Sequence, residues 1–394
     1  MWYDRTISDH FASKSRGLDL FPAWLLLGPR QVGKSSLFGH HSTTSRMMIN
    51  LDDLETRQRA NEDPFLFSKT FKLPLSIDEI QYAPELLSPI KQLIDSGNCK
   101  AGDIWLTGSQ NFSVMSGVRE SLAGRIAVLN LFGLTDSEKD FSTSDPIAFF
   151  SNILETGFPK LRGVTDTHAR SLYLSSYIAT YLERDVRELL AIEKRREFEI
   201  FVKLCAHRSA QLANFDALAS DAGISAATAK QWLSLLADSF LIRILQPWHS
   251  NLNKRILKTP KIVFSDAGIC AHLCGWKSPE QAAFGPSAGA LFETHVIANI
   301  QNHLKHSLSS ASCYFWRTKD GEEIDCLIDL GDEVIAVEVK MGTVDRRDLV
   351  SIKKARIERL SKAYVVSLTA HDEPSNITDE WSLISLKGLL KRLG

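Results

Sequence analysis

A chain of 394 residues is too long for one compact core and should divide into two to four domains, each burying its own apolar centre. Its apolar content of 44% and charged content of 24% are ordinary for soluble globular protein, and a formal net charge of -1 excludes a partner held by bulk electrostatics, so any nucleic acid would need a local basic surface. Six cysteines, with Cys270 and Cys274 the close pair, do not form a disulfide framework and suit a reducing, cytoplasmic setting. The longest early apolar run, Ala23 to Leu27, is far short of a signal core or a membrane span, so no membrane association is expected.

In chain order, the first third alternates short apolar runs with helical patterns, which predicts an α/β class with a parallel sheet flanked by helices. The strands are expected at Trp24–Leu27, Met47–Leu51, Leu73–Ile77, Ile104–Thr107 and Ile126–Leu131. A helical region follows from Thr135 to Leu190, broken at Pro146 and at Gly157-Phe158-Pro159. Asn214 to Leu245 divides into two helices around Ala222-Gly223-Ile224-Ser225, and the Pro-, Gly-, Ala- and Ser-rich stretch Lys277 to Ala288 reads as a linker. A helix from about Gly289 then precedes strands around Cys313–Arg317, Glu323–Asp329 and Glu333–Lys340, followed by a further helix and strand.

Ligands of open α/β sheets sit at the carboxyl ends of the strands. There, Gly28-Pro29-Arg30-Gln31-Val32-Gly33-Lys34-Ser35 fits G-x-x-x-x-G-K-[ST] between a predicted strand and a helix expected to begin at Ser36-Leu37-Phe38. The glycines let the backbone wrap phosphates, Lys34 would reach the β- and γ-phosphates, and Ser35 would hold Mg²⁺, so ATP and Mg²⁺ are the expected cofactors. The next apolar strand delivers Asp78 and Glu79, a metal-binding carboxylate followed by one suited to activating water. Ile104–Thr107 ends in Gly108-Ser109-Gln110-Asn111, where Ser109 is the candidate γ-phosphate sensor. Arg125, after a helix carrying Arg119, could project into a neighbouring subunit and stabilise transition-state charge.

This order of P-loop, Asp-Glu strand, polar strand end and late arginine resembles the AAA+ ATPases. The runs Gly28–Ser35, Ser76-Ile77-Asp78-Glu79-Ile80-Gln81, Leu106-Thr107-Gly108-Ser109 and Ser121-Leu122-Ala123-Gly124-Arg125 look like the bacterial and archaeal ATPases with a C-terminal DUF4143 region. So do Gly157-Phe158-Pro159, Tyr181–Asp185, Asn253-Lys254-Arg255 and Phe264–Gly268, although Ala267 stands where a Thr or Ser is expected. The resemblance implies an AAA+ ATPase domain at 1–135, a helical lid at 136–195, a winged helix at 196–278 and a nuclease-like α/β domain at 279–394. It also implies a homo-oligomeric ring, with a hexamer expected.

The two helices around Gly223 form a helix-turn-helix pattern, with Ser225 able to cap the second. The following Lys254, Arg255, Lys258 and Lys261 form a basic cluster suited to a wing against DNA phosphates. Further on, Asp325 and Glu338-x-Lys340 lie on neighbouring predicted strands after a helix bearing Glu293, similar to PD-(D/E)XK nucleases. There Asp325 and Glu338 would ligate Mg²⁺, Glu293 would assist, and Lys340 would position water. The leading expectation is an ATP-driven motor remodelling branched DNA such as Holliday junctions, with duplex DNA also a possible partner. The alternatives are an ATP-regulated, metal-dependent nuclease and an ATP-dependent switch that recruits a protein.

Overall fold

The computed structural model describes residues 2–13, 15–42, 45–109, 118, 121–181, 194–248, 259–345, 349–350 and 355–393. The chain divides into two compact units: Met1–Gly133 with Asp238–Phe240 and Lys305–Leu308, and Leu134–Ala237 with Leu241–Leu304 and Ser309–Gly394.

The first unit is built on strands β1 (Ala23–Leu27), β2 (Met47–Asn50), β3 (Leu75–Asp78), β4 (Ile104–Gly108) and β5 (Ile126–Asn130). They form a parallel sheet in the order β2-β3-β4-β1-β5. All five positions of Ala-Trp-Leu-Leu-Leu in β1 are buried, as expected of a central strand covered on both faces. Leu25, Leu27, Ile77, Leu106 and Ile90 belong to one core cluster, and Phe11, Phe38, Trp24 and Trp105 form a second, aromatic group. Gly28 is required by close approach: a Cβ there would lie 1.9 Å from the carbonyl oxygen of Leu131.

The second unit holds the helices Pro146–Leu154, Thr167–Tyr181 and Arg195–His207. After the short strand β6 (Gln211–Leu212) come the helices Phe215–Ala222 and Ala226–Asp238 around a left-handed Gly223. Asn214 caps the first of these helices, and the Ser225 hydroxyl accepts the Thr228 N–H at 3.1 Å at the start of the second. Next are β7 (Ile242–Pro247), β8 (Lys261–Phe264) and the helices Ala267–Leu273, Pro279–Phe284 and Ala288–His306. The chain ends through β9 (Ser312–Arg317), β10 (Glu323–Asp329), β11 (Val334–Val339), β12 (Leu360–Val366), β13 (Ser375–Asn376), β14 (Ser382–Ile384) and the helix Leu386–Leu393.

Two features differ from the sequence expectation. The stretch Lys277–Ala288 is no linker: Ser278 caps the helix Pro279–Phe284, whose Ala282 and Ala283 are buried and which packs on Pro146–Leu154. Small residues there permit close helix packing, and composition alone does not separate that from a flexible connector. The hairpin β7–β8 also does not end its sheet. Gln246 and Pro247 pair in parallel with Tyr314 and Phe315, so β6 to β14 make one sheet ordered β13-β14-β12-β11-β10-β9-β7-β8-β6. Apart from Asp238–Phe240 and Lys305–Leu308, residues 136–394, expected as helical lid, winged helix and nuclease-like domain, fall in one compact unit.

That unit is tied by a buried polar network. Asp136 contacts Nε2 of His295 at 2.7 Å and Nζ of Lys139 at 3.1 Å, and accepts from Asn152 at 3.0 Å. Its own backbone N–H donates to Asn299 at 2.8 Å. Burial opposes the Asp136 charge, but His295, Lys139 and these hydrogen bonds outweigh it and hold the carboxyl well below the ordinary carboxylate range.

Candidate functional site

The carboxyl ends of β1, β3 and β4 converge because β4 pairs with both of the others. Gly28 leaves β1, and Gly33, at φ 97°, caps the helix Lys34–His41. Lys34 is buried, and its ammonium donates to the carbonyls of Gly28 and Pro29, both at 2.9 Å. The Ser35 hydroxyl lies 2.9 and 2.7 Å from the two carboxylate oxygens of Asp78. Two hard oxygen donors on one spot, at a helix N-terminus lined by backbone N–H groups, fit Mg²⁺ bound with phosphate. Arg30 donates to the Tyr82 hydroxyl at 3.0 Å, and Val32 is buried beneath the loop while Gln31, Ser35 and Ser36 are exposed.

Thr107 locks the end of β3. Its hydroxyl donates to Asp78 and accepts the N–H of Glu79 at 3.0 Å. Glu79 takes a left-handed backbone conformation, φ 56° and ψ 52°, which turns its buried carboxylate from the strand direction toward the site. The Gln81 amide donates both to Glu79 and, at 2.9 Å, to the hydroxyl of Ser109. Burial pushes the Glu79 carboxyl upward, yet Lys34, the Gln81 hydrogen bond, Arg30 and Ser109 together hold it below its ordinary value. Its surroundings therefore favour the ionised carboxylate beside the Gly28–Ser35 loop. Arg125 is placed differently: it pairs with Asp95 of its own chain at 2.6 Å at an exposed position. Gln110, Asn111 and Arg119 lie outside the described residues.

In the second unit, β10 carries Glu323 and Asp325 on one face, two residues apart, with Glu293 on the helix Ala288–His306. Oxygens of these three carboxyls lie within 4.8 Å of one another. Glu338 on β11 instead pairs with Lys340 at 2.9 Å, and Asp325 accepts the Val339 N–H at 2.8 Å. Burial and then Asp325 raise Glu293 and Glu338 to about 8 each, with Lys261 and Lys340 respectively opposing the rise. Asp325 is also raised, by burial.

Lys261 requires a correction. Expected on a DNA-facing wing, it is only 2% exposed, because the apolar run Lys-Ile-Val-Phe is the wholly buried strand β8. Its ammonium sits 2.9 Å from Glu293 and 3.8 Å from Asp325, and contacts Glu323. Burial works against the charge, but Glu293, Asp325 and Glu323 outweigh it and raise Lys261 above the ordinary lysine range. Lys254, Arg255 and Lys258 lie outside the described residues. Sequence reasoning gave no role to Gln81, Thr107 or Glu323. Strand alternation with Asp325 could have found Glu323, whereas Gln81 and Thr107 carried no signal of their own.

No helix among the described residues is long and apolar enough to cross a membrane. Comparison with known proteins matches residues 21–139 to an AAA domain, 148–280 to a domain of unknown function, DUF8612, and 288–389 to another, DUF4143. The chain is 29% identical over 364 residues to the uncharacterized proteins Rv2008c of Mycobacterium tuberculosis and Mb2031c of Mycobacterium bovis. These matches cover 89% of this chain and 78% of each relative. A solved structure described as the Walker-type ATPase PABY2304 of Pyrococcus abyssi aligns at 17% identity and a TM-score of 0.42, over 69% of this chain and 96% of that one. Where the Gly28–Ser35 loop and the paired carboxylates stand at the ends of parallel strands, the chain carries an AAA domain at residues 21–139, and it carries a DUF4143 domain at residues 288–389.

Proposed function

We propose that this chain binds ATP with Mg²⁺ at Gly28–Ser36, hydrolyses it, and uses the cycle to remodel branched DNA as a homo-oligomeric ring. The observation that carries the hydrolytic reading is the Ser35–Asp78 contact beside a left-handed, negatively charged Glu79. In this reading Ser35 and Asp78 hold the metal, which neutralises phosphate charge when bound. Lys34 leaves the loop carbonyls for the β- and γ-phosphates. Glu79 orients water for in-line attack and accepts its proton, and Ser109 reports the γ-phosphate.

The DNA component is supported by the helix-turn-helix geometry. The second helix, Ala226–Asp238, exposes Ala227, Lys230, Gln231 and Ser234, and Lys, Gln and Ser side chains can contact base edges or phosphates. The ring component rests on the resemblance to AAA+ ATPases; in this reading Arg125 would exchange its pairing with Asp95 for a neighbour's nucleotide site. Steady-state ATP hydrolysis with Mg²⁺, with and without a four-way DNA junction, tests the whole, with Glu79→Gln as the blank. Junction-stimulated hydrolysis that is lost in Glu79→Gln is expected. Hydrolysis indifferent to DNA would remove the motor and leave the ATPase.

A further inference from the structure

The carboxylates Glu293, Glu323 and Asp325 have the chemistry of a divalent-cation site, but the space between them is already filled by a cation. Mg²⁺ binds carboxylate oxygens at about 2.1 Å, so an ion on the Glu293 oxygen would lie no more than about 5 Å from the Lys261 nitrogen, 2.9 Å from that same oxygen. Both charges would then share a partly buried pocket, where repulsion is less screened than in bulk water. The remaining donors are also engaged. Arg317 pairs with Glu323, the Val339 N–H with Asp325, and Lys340 with Glu338. Glu338 keeps one buried oxygen without a partner among the described residues, but it is not one of the three carboxyls that converge.

We propose that the Lys261 ammonium occupies the place of the divalent cation, making this nuclease-like centre a closed ionic lock that cannot take the metal on which phosphodiester cleavage would depend. Lys261 comes from β8, Glu323 and Asp325 from β10, and Glu293 from the helix Ala288–His306. The lock therefore joins the hairpin after the helix-turn-helix to the far strands of the same sheet. It spans β7 and β9, which lie between β8 and β10. Removing the ammonium leaves a buried Asp325 and two half-buried glutamates with only Arg317, on Glu323, as an ion-paired counter-charge among the described residues, and a divalent cation becomes the natural replacement. The inference is independent of ATP hydrolysis and would stand if that reading failed.

The test is Mn²⁺ binding to the full chain, followed by the electron paramagnetic resonance of free Mn²⁺. An Asp78→Asn background silences the P-loop site. Adding Asp325→Asn should leave the number of bound ions unchanged, because nothing binds there. Adding Lys261→Met should create one new site per chain, abolished when Asp325→Asn is combined with it. The proposal is overturned if Asp325→Asn alone removes a bound Mn²⁺, if folded Lys261→Met gains none, or if the wild-type chain cleaves plasmid DNA with Mn²⁺ in an Asp325-dependent way. If Lys261→Met does not fold, the Asp325→Asn comparison and the cleavage assay decide.

Discussion

Replacing Gln81 by Leu should reduce kcat for ATP hydrolysis by about 10- to 100-fold with little change in KM or thermal stability. One Gln81 amide nitrogen donates to both the Glu79 carboxylate and the Ser109 hydroxyl, so it sets the direction of the base relative to the sensor. A hydrogen bond to a charged group is worth about 1.5–3 kcal/mol. If that energy is expressed in the transition state, each 1.4 kcal/mol or so is tenfold in rate, which yields the quoted range. Leu keeps the volume and leaves the Ser35–Asp78 contact and the Lys34 cradle in place, so nucleotide binding should persist. The pH–rate profile adds a sign. The Gln81 bond lowers the Glu79 pKa, and Glu79 must be ionised to accept a proton. Losing the bond should therefore move the acid limb of kcat to higher pH. Steady-state kinetics from pH 5 to 9, with nucleotide binding measured separately, provide the assay. A wild-type kcat, or a loss confined to KM with the acid limb unmoved, would refute the positioning role.

Gly28→Ala should cost about 3 kcal/mol or more, since the new Cβ would meet backbone, the Leu131 carbonyl, at 1.9 Å, and backbone yields less readily than a side chain. A lowered urea midpoint for the first unit together with lost nucleotide binding is expected, and an unchanged midpoint would contradict the close approach. Asp136→Asn should destabilise the second unit by about 3–5 kcal/mol, because it leaves Lys139 buried without its counter-charge. The depressed Asp136 pKa fixes the pH sense: its contribution is complete above the unfolded carboxyl value near 4 and is lost as pH falls toward the folded value. Urea midpoints at pH 7 and pH 3.5 should accordingly differ less between variant and wild type at the lower pH.

The parallel sheet was legible because buried strands of a two-sided sheet are written as continuous apolar runs, and each of the five expected runs overlaps an observed strand. The strand, loop and helix around Gly28–Ser35 were legible for a related reason. Its parts are contiguous in sequence, and the Asp78-Glu79 pair falls at the end of the strand Leu75–Asp78. The strand β2 is less buried, with Met48 and Asn50 exposed, and was visible from the apolar run Met47–Leu51. The helix Pro279–Phe284 was missed because a short, alanine-bearing helix has the composition of a linker until its packing partner is known.

What the sequence by itself determined is local: a strand-loop-helix of P-loop pattern, a strand that ends in two acids, two short helices around a glycine, and acids spaced to share a strand face. Each depends on neighbours in the chain, through hydrogen-bond geometry with a period of a few residues. What only the tertiary structure decided is which charges meet. Gln81 finds Ser109, Asp136 finds His295, and Lys261 is drawn from an expected DNA-facing wing into a pocket of carboxylates. Those pairings depend on strand order and on burial. A lysine is read as solvated and basic from sequence because most lysines are, and β8, closing against the helix Ala288–His306 and the β10 carboxylates, makes this one an internal counter-ion.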